Sequence, residues 1–181
     1  MTLPDGETSF LGYDKETLNG DELLELSIAQ LDEIFTGAEA PGCEEMGGRY
    51  RCLWLSGEVD GYLPKPLKKL RAMIAGSRSF PWKGMEIEKR FDESDITGTN
   101  LLFDMDKGVR MFHFDARIEP SEFDGKDCLA FDYDTEKNIL PFRKLRDEVR
   151  KVNPTLYLGR GNLMLGGKAR LIAYFTLEPG Y

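Results

Sequence analysis

The chain has 181 residues, 41% of them hydrophobic and 31% charged, with a formal net charge of −8 at neutral pH. That length suits one domain, 1–181, and the composition is that of a folded globular chain rather than a disordered one. The acidic balance repels phosphate backbones and argues against nucleic acid as a partner, and no apolar run approaches the roughly 20 residues of a membrane-spanning helix.

Residues 1–19 are polar and contain glycine, which predicts an irregular lead-in. MTLPDGETSF has neither a basic start nor an apolar stretch, so no secretory signal is expected. From Asn19 the pattern changes. Asn19 or Asp21 can cap a helix whose apolar positions, Leu23, Leu24, Leu26, Ile28, Leu31, Ile34 and Phe35, recur at three and four. Gly37 and Pro41-Gly42 end it. Tyr50 to Leu55 reads as a strand. After Pro64 and Pro66, a second helix is expected, with Leu67, Leu70, Met73 and Ile74 on one side, stopping at Gly76.

The remainder reads mainly as β. In FPWKGMEIEKRF, Met85 and Ile87 oppose Glu86 and Glu88. Asp106-Lys107-Gly108 is the expected turn of a hairpin. Its second strand places Phe112, Phe114, Ala116 and Ile118 on one face, with Met111, His113, Asp115 and Arg117 on the other. A further strand follows Asp124-Gly125, with Leu129, Phe131 and Tyr133 sharing a face. LPFRKLRDEVRKV carries Phe142, Leu145, Val149 and Val152 at near-helical spacing, which predicts a basic amphipathic helix ended by Pro154. Asp147 stands four residues before Lys151, as in a solvated helical ion pair. Two last strands, 155–165 and 168–177, flank Gly166-Gly167, a strong hairpin signal.

Short strands joined by glycine turns favour antiparallel pairing and a closed or nearly closed barrel. The expected class is mainly β (α+β): an antiparallel, lipocalin-like β-barrel with an N-terminal helix and short flanking helices. Residues alternate between lumen and exterior in such a barrel. Over 156–165, Leu156, Leu158, Arg160, Asn162 and Met164 share one face; Tyr157, Gly159, Gly161, Leu163 and Leu165 share the other. If the glycines make room for a helix outside, then Arg160, Asn162, Met164 and Tyr174 line the lumen. Trp82 floors it, and an apolar cavity with a few polar groups suits a small ligand. A solvated outer face carrying Arg160 is the competing assignment.

His113 is the single histidine, and its chemistry suits acid–base work near neutrality. With Tyr174 and Asp132 it forms the set of catalytic candidates. Cys43, Cys52 and Cys128 make an odd count with no close pair, as in a reducing, cytoplasmic setting. One histidine and no CxxC argue against a zinc site. Asp132, Asp134 and Glu136 lack the rest of a calcium loop. LGRGNLMLGG lacks the spacing and the helix of a dinucleotide fingerprint, and no nucleophile elbow is present. No metal and no cofactor are expected.

Trp82-Lys83-Gly84, Phe142-Arg143, Val152, Leu158-Gly159 and Tyr174-Phe175-Thr176-Leu177 together resemble small calycin-like barrels, of the lipocalin-like and GXWXG type. The first Gly of GXWXG is replaced by Phe80, and residues before 60 carry no part of the likeness. The resemblance implies a cavity for a hydrophobic small molecule and transfers no catalytic residue. Three functional readings stand: binding of a small hydrophobic or amphipathic ligand, anionic if Arg160 faces it; an isomerase, cyclase or hydrolase in the same cavity; and a protein–protein module. A homodimer is compatible with each.

Overall fold

Eight antiparallel strands close into a barrel, each paired with its neighbour in sequence and the last paired with the first. The computed structural model describes residues 9–56, 81–89 and 96–180. The helix expected over 67–76 lies outside the described residues. A two-stranded ribbon, β1 (Ser9–Phe10) and β2 (Tyr13–Asp14), precedes two helices, α1 (Gly20–Leu23) and α2 (Ile28–Gly37). The barrel strands are β3 (Gly48–Trp54), β4 (Trp82–Lys89), β5 (Ile96–Leu102), β6 (Val109–Pro120), β7 (Asp127–Asp132), β8 (Leu145–Asn153), β9 (Leu156–Leu165) and β10 (Lys168–Pro179).

Two expectations need correction. The single N-terminal helix is broken between Leu24 and Ser27, and the break has a local cause. Ser27 accepts the Gln30 backbone N–H, while the Gln30 side-chain oxygen accepts the Ser27 N–H at 3.0 Å. This capping box starts a new helix and competes with continuation of the first. Asn19 and Glu22 form the same device at the start of α1.

The basic helix expected over 142–152 is instead a short 3-10 turn, Phe142–Lys144, followed by strand β8. Residues 145, 147 and 149 also satisfy a period of two, and pairing decides between the periods. β8 bonds to β7 on one side and β9 on the other. A helix there would leave both edges with unpaired backbone N–H and C=O groups. The outward side chains gain partners as well: Arg146 reaches Glu119 at 2.7 Å, and Glu148 accepts the Ser121 hydroxyl at 2.6 Å.

Other segments match their sequence pattern. Met85 and Ile87 face the lumen, as do Phe114, Ala116, Leu129, Phe131 and Tyr133. Gly166 and Gly167 adopt φ of +58° and +74° in the β9–β10 hairpin, the backbone of a tight turn that matches strand twist.

Two apolar cores result. One fills the lumen, where Met46, Tyr50, Ile87, Ile96, Val149, Tyr157 and Leu177 pack one end. The other lies outside the barrel, where Leu31, Ile34 and Phe35 of α2 cover Leu158, Leu171 and Tyr174. At the end opposite the packed one, the lumen holds a pocket.

Candidate functional site

The pocket occupies about 280 Å³ between the ends of the strands. Its walls are Trp54, Trp82, Leu102, Phe112, Phe142, Leu145, Ile172 and Phe175. The rings are locked against one another. Trp82 meets Phe175 edge-on with centroids 5.3 Å apart, and Phe112 lies 4.3 Å from Phe142. Phe112 sits at a bulge, where the register between β5 and β6 shifts beside Asn100; its φ is +56°. A bulge re-aims a side chain without breaking the sheet, and here it sets Phe112 on the ring delivered by the 3-10 turn.

Three polar side chains interrupt this apolar wall: Asn100, Tyr133 and Asp147. Asn100 donates to the Phe112 carbonyl at 3.0 Å and to the Tyr133 hydroxyl at 3.2 Å. The Tyr133 hydroxyl donates to Asp147 Oδ2 at 2.8 Å. Asp147 is only 9% exposed. Burial pushes its carboxyl up to about 7, opposed by the Tyr133 hydrogen bond and reinforced by the nearby Glu148 charge. Burial, followed by the Asp147 charge, raises the Tyr133 hydroxyl well above its ordinary value. The trio is a polar relay in a low-dielectric wall, with one member able to gain or lose a proton near neutrality.

Small residues make the space. Gly161 pairs with Asp147 on β8 and Ala173 on β10, so the carboxyl looks across a position without a side chain. Gly159 serves a neighbouring contact: a Cβ there would lie 2.2 Å from the Phe175 ring.

These glycines reverse the expected register of β9. Gly159 and Gly161 face the lumen, and the mixed face points outward beneath α2. Arg160 therefore lies outside the barrel, stacked 4.4 Å over Phe123 and 6.0 Å from the Tyr174 ring, and donates to Asn162 Oδ1. Asn162 is fully buried on the same side, and Met164 follows it on that face, away from the pocket lining. The Tyr174 hydroxyl donates to Asp32 Oδ1 at 2.6 Å, and burial raises its pKa. The physical reason is space: the Phe175 ring fills the lumen beside Gly159, while the half-apolar outer face is sealed by α2 and Phe123.

Of the expected ligand contacts, Trp82 alone lines the pocket. An anionic ligand loses its expected partner, since no lysine or arginine lines the lumen among the described residues. His113 and Asp132 lie on the outer surface. His113 borders a groove of about 300 Å³ with Glu86, Glu88, Arg110 and Asp115, and Asp132 stands 3.6 Å from Arg117. Asp147 is a buried strand residue rather than half of the expected helical pair with Lys151, which instead meets Glu45; the sequence pattern marks neither it nor Asn100 nor Tyr133 as part of a site. The one signal for Asp147 was its place between Leu145 and Val149 at strand spacing. Among the described residues no group of three or more His, Cys, Asp or Glu is arranged to hold a metal ion, and no helix is long and apolar enough to cross a membrane.

The outward placement of Arg160 gives an expected result. Arg160→Met should leave binding in the lumen unchanged and lower stability by about 1–2 kcal/mol, through loss of ring stacking and of the bond to Asn162. Urea unfolding and a ligand titration on the same variant check both halves.

No family model and no curated protein matches the chain. Among solved structures, the chain is similar to one described as the crystal structure of a protein from Thermomonospora curvata. The two share 19% identity with a TM-score of 0.51, over 87% of this chain and 90% of that one. At that identity the likeness concerns the fold.

Proposed function

We propose that the protein binds a small, largely apolar molecule in the barrel lumen, oriented by the Asn100–Tyr133–Asp147 relay. One observation carries this reading. One end of the lumen is packed with side chains, while the other holds an apolar pocket whose polar groups converge on one wall. Eight-stranded barrels are just wide enough to be filled or to hold one small ligand, and this one combines both. A protein–protein module has no need of the unfilled end. The closed meander of eight strands supports kinship with calycin-like carriers, and the buried, unbridged Cys52 and Cys128 support a reducing, cytoplasmic setting.

A second reading has its own support. A carboxyl held near neutrality beside a cavity is what general acid–base chemistry requires. Asp147, rather than His113, Tyr174 or Asp132, is then the proton carrier of an isomerase, cyclase or hydrolase.

The chain has two tryptophans, Trp54 and Trp82, and both line the pocket. Their fluorescence therefore reports occupancy directly. Ala173→Leu adds three carbons at a lumen position beside Gly161. It should weaken binding of small aromatic probes at least tenfold while leaving the fold intact by circular dichroism. Equal affinity in this variant would place the binding site elsewhere.

A further inference from the structure

We infer that the ligand of this lumen is an apolar amine, whose ammonium group sits between the Asp147 carboxylate and the surrounding aromatic rings. The inference rests on the binding reading above and names the ligand class.

Its starting point is an unsatisfied acceptor. Asp147 Oδ2 takes the Tyr133 hydroxyl, but Oδ1 has no hydrogen-bond partner among the described residues. Oδ1 lies over Gly161, where an added Cβ would stand 3.2 Å away. The carboxyl is thus buried in the wall with one oxygen open toward an unfilled volume. A buried carboxylate needs a positive or hydrogen-bonding partner, and the protein provides no cation among the lining residues described.

The rest of the pocket fits the same ligand. Trp54, Trp82, Phe112, Phe142 and Phe175 surround the cavity. Indole and phenyl faces attract a desolvated cation, and an aromatic cage with one carboxylate recognises an ammonium by two independent terms. Once Asp147 is ionised, a carboxylate ligand would meet repulsion from it, and a neutral ligand would leave its charge uncompensated.

Ionisation of Asp147 then governs affinity. The titratable groups facing it are Tyr133 at the end of β7 and Cys52 on β3, with Glu148 adjacent on the opposite face of β8. Tyr133 and Cys52 are held neutral by burial, so Asp147 is the group that changes charge near pH 7. Below that value it is protonated and the attraction for a cation is lost. Amine affinity should rise from pH 5.5 to 8, while affinity for a neutral isostere stays flat.

The experiment titrates tryptophan fluorescence with 2-phenylethylamine, 2-phenylethanol and phenylacetate at pH 5.5 and 8. The expected result is that the amine binds at least tenfold tighter than the alcohol at pH 8. The acid should bind weakest, and the preference should shrink several-fold at pH 5.5. Asp147→Asn should abolish the amine preference while still binding the alcohol. If alcohol and amine bind equally at pH 8, or if phenylacetate binds best, the amine inference fails and the lumen-binding reading stands. If neither amine nor alcohol alters the fluorescence, both fail.

Discussion

Arg150→Ala should lower the unfolding free energy by about 3–5 kcal/mol, the range found when one partner of a buried ion pair is removed. Arg150 is fully buried on the outer face of β8, and every N–H of its guanidinium is used. Two go to the Asp124 carboxylate, at 2.7 and 2.6 Å. Three go to backbone carbonyls: Phe35 at 2.9 Å, Lys126 at 3.0 Å and Asp127 at 3.1 Å. The plane also stacks 4.4 Å from the Phe35 ring. One side chain thereby joins the end of α2, the β6–β7 turn and the barrel wall. Its hydrogen bonds hold the Asp124 carboxyl below the usual carboxylate range. The alanine variant strands that carboxylate and three carbonyls together. Arg150→Lys should recover little, because an ammonium cannot reproduce the planar fork. Urea unfolding at neutral pH measures the loss. A cost under 1 kcal/mol would show that the joint does not hold these elements.

Asp147→Asn should act in the opposite direction, and its effect should depend on pH. The folded-state pKa of Asp147, about 7, stands above its ordinary value of 3.8. Between those values the folded chain holds a proton that the unfolded chain has released. Wild-type stability therefore falls as pH rises through this window and levels off above it. Roughly three pH units at 1.4 kcal/mol each set a ceiling of about 4 kcal/mol. The asparagine keeps an oxygen for the Tyr133 hydroxyl and carries no charge. It should be more stable than wild type by about 3 kcal/mol at pH 8 and nearly equal at pH 4, as read from urea midpoints at the two pH values. No pH-dependent difference would mean that Asp147 ionises as freely folded as unfolded. A gain accompanied by lost amine binding would be a stability–function trade-off at one carboxyl.

What could be read in advance followed from how many signals agreed at each segment. β4 alternates from Met85 onward between apolar and acidic positions, β7 is a short apolar run bounded by Asp127 and Asp132, and Gly166-Gly167 admits few backbone conformations other than a hairpin turn. Each of these appears in the fold as its pattern implied. β8 was illegible because Leu145, Val149 and Val152 fit a helix while 145, 147 and 149 fit a strand. Only the edges of β7 and β9, which a helix there would leave unpaired, choose between them. The face of β9 was illegible for a different reason. Both of its faces are largely apolar, one because it enters the lumen and the other because α2 covers it. Gly159 and Gly161 admit close approach on either side, and it is the Phe175 ring on the next strand that settles which. The polar relay is hidden twice over: the spacing around Asp147 fits a helix as well as a strand, and Asn100 and Tyr133 meet it only once β5, β7 and β8 have curved round the lumen.

The lumen's unequal ends have an evolutionary corollary. The solid end, built from Tyr50, Ile87, Val149, Tyr157 and Leu177, secures closure without reference to any cargo. On the binding reading, substitutions among Leu102, Phe112, Phe142 and Ile172 at the hollow end reshape selectivity while the foundation persists. On that reading, one guest is exchanged for another by changing a handful of side chains at the open end alone.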